Sequence, residues 1–580
     1  MWHQTFDPLG NIYLSALAAA LPIVFLFWAL AIKRLKGHVA AVWTVGLAVV
    51  VAVAVYRMPA SLALASTAQG ALYGLFPIGW IVVAAVFLYR ISVETGQFAI
   101  IKDSIASITE DRRLQGLLIA FSFGAFLEGA AGFGTPVAIS AAMLAGLGFE
   151  PLYAAGLCLI ANTAPVAFGA IGTPIVVAGQ VTGIDELVIS RMVGRQLPFL
   201  SVLIPFWLVF TMSGLRGVKE VWPAALVSGG TFAVAQWWTS NHLGPLLPDI
   251  ISSLCSIVCL VVFLRVWKPA SIFRFHDERG GAVERARPLG AGKVLKAWSP
   301  FLILTILVGN WGTRPVKAVL DQATFVFPFP LIHNAVVDPS TDTAVASMYT
   351  VNWLSATGTV ILIAGLVSLL ITRLRFTSAL ALFGTTLRSL GLPMLTIAAV
   401  LGLAYVGNAS GMTTTMGMAL ASTGRIFPLF SPLLGWLGVF MTGSDTSANA
   451  VFGKLQSVSA ERVGVSPVLA VAANSSGGVT GKMISPQSIA VACAATDQVG
   501  NEAGLFRFTL RHSLLLVAVV SVMTYLQATL LSWMIPPYAA GRATGGMTAA
   551  DLAGLRGTGW MLLGTTAAVT TALVLAVRKR

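Results

Sequence analysis

Two acidic side chains lie within stretches of sequence that are otherwise apolar. Glu128 belongs to the stretch 114–149 and is followed at once by GAAGFGTP, and Asp445 belongs to the stretch 430–460, within GSDTSAN. A charged side chain near the centre of a bilayer costs about 2.5–3.5 kcal/mol even on a mild insertion scale, and such residues are functional by default. We therefore predict that Glu128 and Asp445 bind a proton or a cation. The alternative is that each carboxylate hydrogen-bonds its own loop and holds it in place.

Two further interruptions of apolar sequence are rich in neutral hydrogen-bonding side chains. Asn162 opens NTAPVAFGAIGTP (162–174), and Asn474 and Lys482 lie in NSSGGVTGKMISP (474–486). Two interpretations of the asparagines stay open, namely ligand binding and capping of backbone freed by a helix break. The lysine either pairs with an anionic substrate or neutralises a buried acid, because a buried charge needs a partner. The predicted substrate-binding residues are Asn162, Thr163, Thr173, Ser444, Thr446, Ser447, Asn474, Ser475, Ser476, Lys482, Ser485 and Gln487.

The chain that carries these residues has the composition of a membrane protein. Of its 580 residues, 57% are hydrophobic and only 10% are charged, and the mean hydropathy is +0.85. Soluble domains carry about 25% charged residues. Apolar runs of the length that a helix needs to cross a bilayer, about 20 residues, recur along the sequence. We predict an all-α polytopic membrane protein with about 13 spans, because helices satisfy their own backbone in lipid.

The basic residues that give the chain its net charge of +14 lie mainly in loops between the apolar runs. The charge therefore does not indicate nucleic-acid binding. Basic residues concentrate in KRLKGH (33–38) and in the loop 265–297, as expected of cytoplasmic loops. The membrane topology that this rule predicts places the N-terminus outside, the C-terminus in the cytoplasm, and the segments 313–345 and 537–556 outside. The basic loop is too short for a catalytic domain of ordinary size, so an enzyme is not expected.

An internal repeat relates the two halves. GAFLEG (124–129) resembles GVFMTG (438–443), and 162–174 resembles 474–486, at offsets of 314 and 312 residues. In the topology predicted from the basic loops, the two copies cross the membrane in opposite directions. Inverted repeats with interrupted helices are the architecture of secondary transporters, with the binding site between the copies.

Each repeat is predicted to contain a re-entrant helical hairpin followed by an interrupted helix. The hairpins are 114–149 and 430–460, and the interrupted helices are 152–182 and 465–494. Freed helix N-termini in such breaks favour carboxylates. The predicted hairpin-tip glycines are Gly129, Gly132, Gly134 and Gly443. The predicted division of the chain is 1–60 (N-terminal spans), 61–264 (first repeat), 265–297 (basic loop), 298–375 (connecting spans and outer loop), 376–536 (second repeat) and 537–580 (C-terminal loop and span).

Several of these sequences closely resemble the bacterial L-lactate permease family. The resemblance is carried by LEGAAGFGTPVAI, PLYAAGLCLIANTAPVAFGAIGTPI, GVFMTGSDTSANA and ANSSGGVTGKMISPQSIA. It covers nearly the whole chain, most specifically 114–200 and 430–535, and weakens at 276–345 and beyond 537. It implies import of L-lactate, D-lactate or glycolate with a proton across the bacterial inner membrane, on a fold with paired re-entrant hairpins.

The expected partners are a small carboxylate, a proton and membrane lipid, with an oligomer left open and no nucleic acid. No cofactor and no metal site are expected, since the cysteines and histidines form no ligand cluster in the sequence. Two other functions stay open. One is a carrier of the same fold with another organic anion or with Na⁺ coupling, and the other is a membrane sensor that transports nothing.

Overall fold

The computed structural model describes residues 1–33, 35–130, 132, 135–275, 290–311, 313–339, 342–498, 501–538 and 549–578. The fold is predominantly helical. The first helices in chain order are α1 (Ile12–Phe27), α2 (Gly37–Ala54), α3 (Ala60–Tyr73), α4 (Trp80–Glu94), α5 (Gln97–Ala106), α6 (Arg112–Gln115), α7 (Gly124–Ala130), α8 (Thr135–Gly146), α9 (Pro151–Ala161), α10 (Gly169–Thr182), α11 (Glu186–His242) and α12 (Pro248–Val266).

The chain continues with helices of the second half, which are α13 (Ala291–Trp311), α14 (Arg314–Leu320), α15 (Thr357–Thr372), α16 (Phe376–Ser410), α17 (Met412–Leu420), α18 (Phe427–Thr442), α19 (Asp445–Val463), α20 (Pro467–Gly481), α21 (Pro486–Ala495), α22 (Glu502–Thr529) and α23 (Ala549–Arg578). Wider π-helical turns extend α1 and join α3 to α4 and α6 to α7; they are Trp28–Ile32, Gly74–Gly79 and Gly116–Phe123. Short 3₁₀ turns are Val166–Phe168, Asp321–Ala323, Ala421–Ile426, Lys482–Ile484 and Ser532–Met534.

Both halves contain the same succession of elements. A long helical segment (α3–α4, or α16) leads to a short helix (α5, or α17), then to a helical pair (α6–α8, or α18–α19) and to an interrupted helix (α9–α10, or α20–α21). Gly96 and Gly411, at corresponding junctions, both have left-handed backbone, with φ of 70° and 89°. The opposite orientation of the two copies in the membrane stays a prediction, as do the predicted division of the chain and its boundaries.

Helix α11 reverses direction within its length. Gly214 has φ 63° and breaks the helix, and the segments on either side pair with each other. Ser190 Oγ donates to the carbonyl oxygen of Ser240 at 2.9 Å. Ser201 Oγ donates to Gln236 Oε1 at 2.7 Å. Ser190 thus contacts Ser240, and Ser201 contacts Gln236, so the two segments run antiparallel. Each segment is long enough to cross the membrane.

The described residues contain nine helices that are long and apolar enough to cross a membrane, or ten if the pair α9 and 166–182, bent by 67°, forms one span. The reversal in α11 adds a crossing to that number, because α11 is one of the nine. The chain is thus a multi-pass membrane protein. The predicted number of about 13 spans stays a prediction.

The prediction of an all-α chain is incomplete, because two small sheets form around the predicted outer loop 313–345. Strand β1 (Trp2–His3) pairs in parallel with β3 (Val336–Asp338), which pairs antiparallel with β4 (Thr343–Ala344). Strand β2 (Phe325–Pro328) pairs antiparallel with β5 (Met348–Val351). The strands are rich in valine and aromatic residues, which have high β-propensity. The first sheet ties the N-terminus of the chain to this loop.

Helices α18 and α20 pack backbone to backbone through glycines. A Cβ at Gly435 would overlap the carbonyl oxygen of Asn474, and a Cβ at Gly477 would overlap that of Pro432. Small residues allow helices in membranes to approach this closely. The packing holds the second helical pair against the interrupted helix that follows it.

Candidate functional site

A cavity of about 50 Å³ lies where the first break, the second break and the junction between α18 and α19 meet. Both predicted acids lie in its wall. The other lining residues are Val166, Gly169, Ala170, Pro174, Gly443, Ser444, Thr446, Lys482, Gln487, Ser488 and Val491. The cavity therefore brings together residues from the two halves of the chain that are more than 300 positions apart in sequence.

Glu128 is held at the C-terminal end of α7 by a neighbour from the first break. Its side chain is buried, and Asn162 Nδ2 donates to Oε2 at 3.1 Å. A Cβ at position 169 would lie 2.6 Å from Glu128 Oε1, so the carboxylate occupies space that only glycine leaves free. Sequence reasoning did not single out Gly169. The sequence feature that could have indicated it is its position as the first glycine of GAIGTP, within the break.

The first break is built from consecutive residues with left-handed backbone. Ala170, Ile171 and Gly172 have φ of 45°, 54° and 69°. Such geometry is unfavourable for residues with a side chain, and it persists where the surrounding structure enforces it, often at functional sites. The helix resumes at Thr173, whose hydroxyl donates to the carbonyl oxygen of Ala170. The N-terminal turn of the remaining helix thus lies at the cavity wall.

Asp445 is the first residue of α19, and only one of its two carboxylate oxygens accepts a hydrogen bond from a described residue. Ser444 caps the helix by accepting from the Ser447 backbone N–H at 3.3 Å. Ser475 Oγ donates to Asp445 Oδ2 at 2.8 Å. Asp445 Oδ1 is buried and has no hydrogen-bond partner among the described residues. Gly478 leaves the space that this oxygen fills, because a Cβ there would overlap it.

A chain of amide and hydroxyl groups leads to Asp445 from the interior of the second half. Gln456 Nε2 donates to Asn474 Oδ1 at 3.1 Å, and Asn474 Nδ2 donates to Asn449 Oδ1 at 2.9 Å. Asn449 Nδ2 donates in turn to Ser475 Oγ at 2.6 Å. Each donor points toward the next acceptor, so the chain fixes the orientation of the Ser475 hydroxyl. Buried networks of this kind are rigid when every member is satisfied.

Lys482 lies in the cavity wall without a carboxylate partner. Its side chain is 7% exposed and follows the last turn of α20. Among the residues that the structure describes, it makes no ion pair with Asp445 or with any other acid. The charge of Lys482 nevertheless acts on Asp445 across the cavity, so both interpretations of the lysine, binding of an anionic substrate and neutralisation of a buried acid, stay predictions.

The predicted binding residues fall into two groups. Those in the cavity wall are Ser444, Thr446, Lys482 and Gln487. The remainder are buried behind the wall, where Asn162 and Ser475 hold the acids and Ser476 Oγ donates to Gln196 Oε1 at 2.7 Å. This second group consists of Asn162, Thr163, Thr173, Ser447, Asn474, Ser475, Ser476 and Ser485. Their predicted contact with substrate stays a prediction, and in the structure Asn162, Ser475 and Ser476 hold other side chains in place.

The predicted tip glycines occupy different positions. Gly443 lies between α18 and α19 with φ 69°, against the Gln487 side chain. Gly132 has φ 58°, and a Cβ there would lie 2.9 Å from Ala170 Cβ. Gly129 lies at the end of α7, against Asp249. Gly134 lies outside the described residues.

A third buried acid escaped the sequence analysis. Asp249 lies in the first turn of α12 and is 1% exposed. A Cβ at Gly129 would lie 2.7 Å from Asp249 Cβ, so the acid packs directly against the end of α7. In the sequence, the run LPDII has the appearance of an ordinary helix start, where acidic residues are common. Only the packing of α12 against α7 reveals the position as interior.

A multi-pass helical protein in which two interrupted helices enclose buried acids and a lysine has the architecture of a secondary transporter. The chain belongs to the L-lactate permease family, because the model of that family matches residues 15–531. It is therefore a permease and not an enzyme.

The chain is similar to three named permeases over most of its length. The chain is 57% identical to the L-lactate permease of Bacillus subtilis (strain 168), over 92% of this chain and 100% of the relative. It is 55% identical to the L-lactate permease of Escherichia coli (strain K12), again over 92% and 100%. It is 54% identical to the glycolate permease GlcA of the same Escherichia coli strain, over 92% of this chain and 99% of the relative.

Proposed function

We propose that the protein imports a small 2-hydroxy monocarboxylate together with a proton across the bacterial inner membrane. The substrate class is L-lactate, with D-lactate and glycolate. The names of the relatives support lactate and glycolate as substrates. The observation that carries the proposal is the cavity whose wall holds two buried carboxyl groups and Lys482, which makes no ion pair with any described residue.

The size of the cavity suits a molecule of two or three carbons. One water molecule needs roughly 10–15 Å³ on this scale of volume. The cavity of about 50 Å³ therefore has room for about three to five water molecules. Glycolate and lactate occupy space of that order, whereas citrate needs more.

The charge of the cavity suits one carboxylate. Lys482 supplies a cation, and the turn at which the helix resumes after Ala170 supplies backbone N–H groups. The hydroxyl groups of Ser444 and Thr446, and the amide of Gln487, are in position to bind the substrate hydroxyl. A second carboxylate would meet Glu128 and Asp445, and like charges at short range are unfavourable.

The buried acids support coupling to a proton. Burial of a carboxyl group away from water favours its neutral, proton-bound form unless a cation accompanies it. One proton and one monocarboxylate together carry no net charge. Each uncompensated charge would respond to the membrane potential by about 2.3 kcal/mol per 100 mV, so a neutral pair should respond weakly.

The proposed orientation has the N-terminus outside and the C-terminus in the cytoplasm. Contacts between distant segments support one basic face. Arg113 pairs with Glu220 at the turn of α11 at 2.7 Å, and Arg274 pairs with Glu110 at 3.0 Å. These segments adjoin the basic loop 265–297, which the positive-inside rule assigns to the cytoplasm.

The test is uptake into proteoliposomes that contain the purified protein. Labelled L-lactate, D-lactate and glycolate are supplied while a pH gradient and a membrane potential are imposed separately, with and without Na⁺. We expect the pH gradient alone to drive accumulation, and unlabelled lactate and glycolate to compete while succinate and citrate do not. Strong inhibition by succinate, an absolute requirement for Na⁺, or an inward current that scales with uptake would contradict the proposal.

A further inference from the structure

Asp249 is a buried acid for which the described residues provide no compensating partner. Its side chain is 1% exposed, and neither Oδ1 nor Oδ2 has a hydrogen-bond partner in the described part of the chain. Buried carboxylates are ordinarily paired with a cation or accept several hydrogen bonds. An acid without either is stable in the interior as the protonated, neutral form.

The position of Asp249 connects it to α7 and to the first break, which form one side of the proposed transport site. It follows the connection between α11 and α12, and it packs against Gly129 at the end of α7. The same connection contacts the first break, because a Cβ at Gly172 would overlap the carbonyl oxygen of Pro245. Asp249 therefore lies behind the helix end whose other face presents Glu128 to the cavity.

The charged groups around Asp249 leave Glu128 as its electrostatic neighbour. Helix α12 packs against α7, α10, α11 and the turn 116–123. The segments 169–182 and 116–123 contain no acidic or basic residue, and Glu128 is the acid of α7 that interacts with Asp249. None of the described titratable groups of α11 forms an ion pair with Asp249; they are Glu186, Arg191, Arg195, Arg216, Lys219, Glu220 and His242.

We propose that Asp249 is a further proton-binding group of the transport cycle and shares the coupled proton with Glu128. The inference rests on the proposed proton symport. Two neighbouring acids are held more favourably with a proton on one of them than with both ionised. In each exchange one carboxyl group releases H⁺ and the other carboxylate takes up H⁺, so the charge balances and no electrons are exchanged. Glu128 faces the cavity, whereas Asp249 holds the proton away from it.

The experiment compares Asp249→Asn with the wild type in proteoliposomes. Asparagine keeps the shape of the side chain and removes the exchangeable proton. With the interior one pH unit more alkaline, one coupled proton drives about tenfold accumulation of lactate. We expect the wild type to reach this ratio and Asp249→Asn to remain near equal concentrations, while lactate exchange at equal pH on both sides persists. Asp185→Asn, at an exposed helix N-cap, is the matched control and should accumulate as the wild type does.

The possible outcomes distinguish a failure of the proposed proton symport from a failure of the proposed role of Asp249. If the wild type itself fails to accumulate lactate under the pH gradient, proton symport and the role of Asp249 fail together. If the wild type accumulates lactate and Asp249→Asn does so equally, only the role of Asp249 is overturned. Loss of accumulation and of exchange to the same extent in a folded variant would also overturn it, because that result indicates a structural role.

A measurement on the wild type covers the case in which Asp249→Asn does not reach the membrane. An apolar carbodiimide reacts with protonated carboxyl groups, and mass spectrometry locates the adduct. We expect labelling of the peptide that contains Asp249 at pH 6 and several-fold less at pH 9. The same yield at both pH values, or no labelling at pH 6, would overturn the proposal.

Discussion

Replacing Lys482 by glutamine tests the proposed site most directly. The substitution keeps a long polar side chain and removes the positive charge from a cavity wall whose two acids lie in the same enclosure. Lys482 makes no direct ion pair among the described residues, although its charge acts on Asp445. If the ammonium group binds the substrate, the main consequence of the substitution is weaker binding of the anion.

The expected magnitude follows from the burial of the group. Lys482 is 7% exposed, so solvent screens its charge little. A hydrogen bond between an ammonium group and a carboxylate contributes about 1.5–3 kcal/mol. We expect KM for L-lactate to rise about 10- to 150-fold in Lys482→Gln, with kcat changed much less, because the contact is made in the bound state and throughout transport.

The assay is initial uptake of labelled L-lactate at a fixed pH gradient, normalised to the amount of folded protein. Inhibition by lactamide, which has the same shape as lactate but no charge, provides a second measurement. Lactamide should inhibit the variant and the wild type equally, since it makes no ionic contact with Lys482. Lys317→Gln is the control. It removes an exposed ion pair with Glu186, of a kind that contributes about 0–1 kcal/mol, and should leave KM unchanged within about twofold.

Three results would refute this reasoning. A KM for lactate within about twofold of the wild-type value would show that the ammonium group does not bind the carboxylate. An unchanged KM together with loss of accumulation would assign Lys482 to the coupling of Glu128 and Asp445 instead. Equal weakening of lactate and lactamide would indicate a change in the shape of the cavity.

Glu128→Gln should abolish accumulation against a gradient while the protein remains in the membrane, and normal pH-dependent accumulation would exclude Glu128 as the coupling residue. Gly435→Ala should lower the free energy of unfolding by about 1–3 kcal/mol through overlap with the α20 backbone, measured as a lower Tm, whereas Gly384→Ala, with open space around it, should not lower it. With the native exposed cysteines removed, Asp321→Cys should react with an impermeant thiol reagent from outside and Ala270→Cys should not; the reverse pattern would overturn the orientation.

The membrane character of the chain follows from the sequence by itself. Long apolar runs with few charges leave no other setting, because unpaired backbone groups are too costly in lipid except in helices and closed barrels. The family is also readable from sequence, because its characteristic runs are long. The acids Glu128 and Asp445 could be identified for the same reason, since a charge within an apolar run has few explanations other than function.

The two small sheets were decided by tertiary structure. Strands β2 and β5 are short and lie about 20 residues apart, and β1 pairs with β3 across more than 300 residues. Local propensity over two to four residues is too weak to predict such pairing. The strands form because the ends of several helices bring these segments together.

Which polar residues face the cavity was likewise a matter of packing. Asn162 and Asn474 look equivalent in the repeat, yet the first donates to Glu128 and the second belongs to an amide chain behind Asp445. Sequence gives the type of a side chain and its distance along the chain. It does not give the rotation of a broken helix about its axis, which decides the direction of each side chain.

Asp249 illustrates the same limit most clearly. From sequence it is an acid at the start of a helix, a position that is usually solvated. Its burial arises because α12 packs against the end of α7, and Gly129 allows that approach. The environment of an ionisable group depends on every element packed around it, and for Asp249 these include α7, which lies more than 100 residues earlier in the sequence. The sequence determined which groups can ionise, and the tertiary structure decided which of them are buried and which find partners.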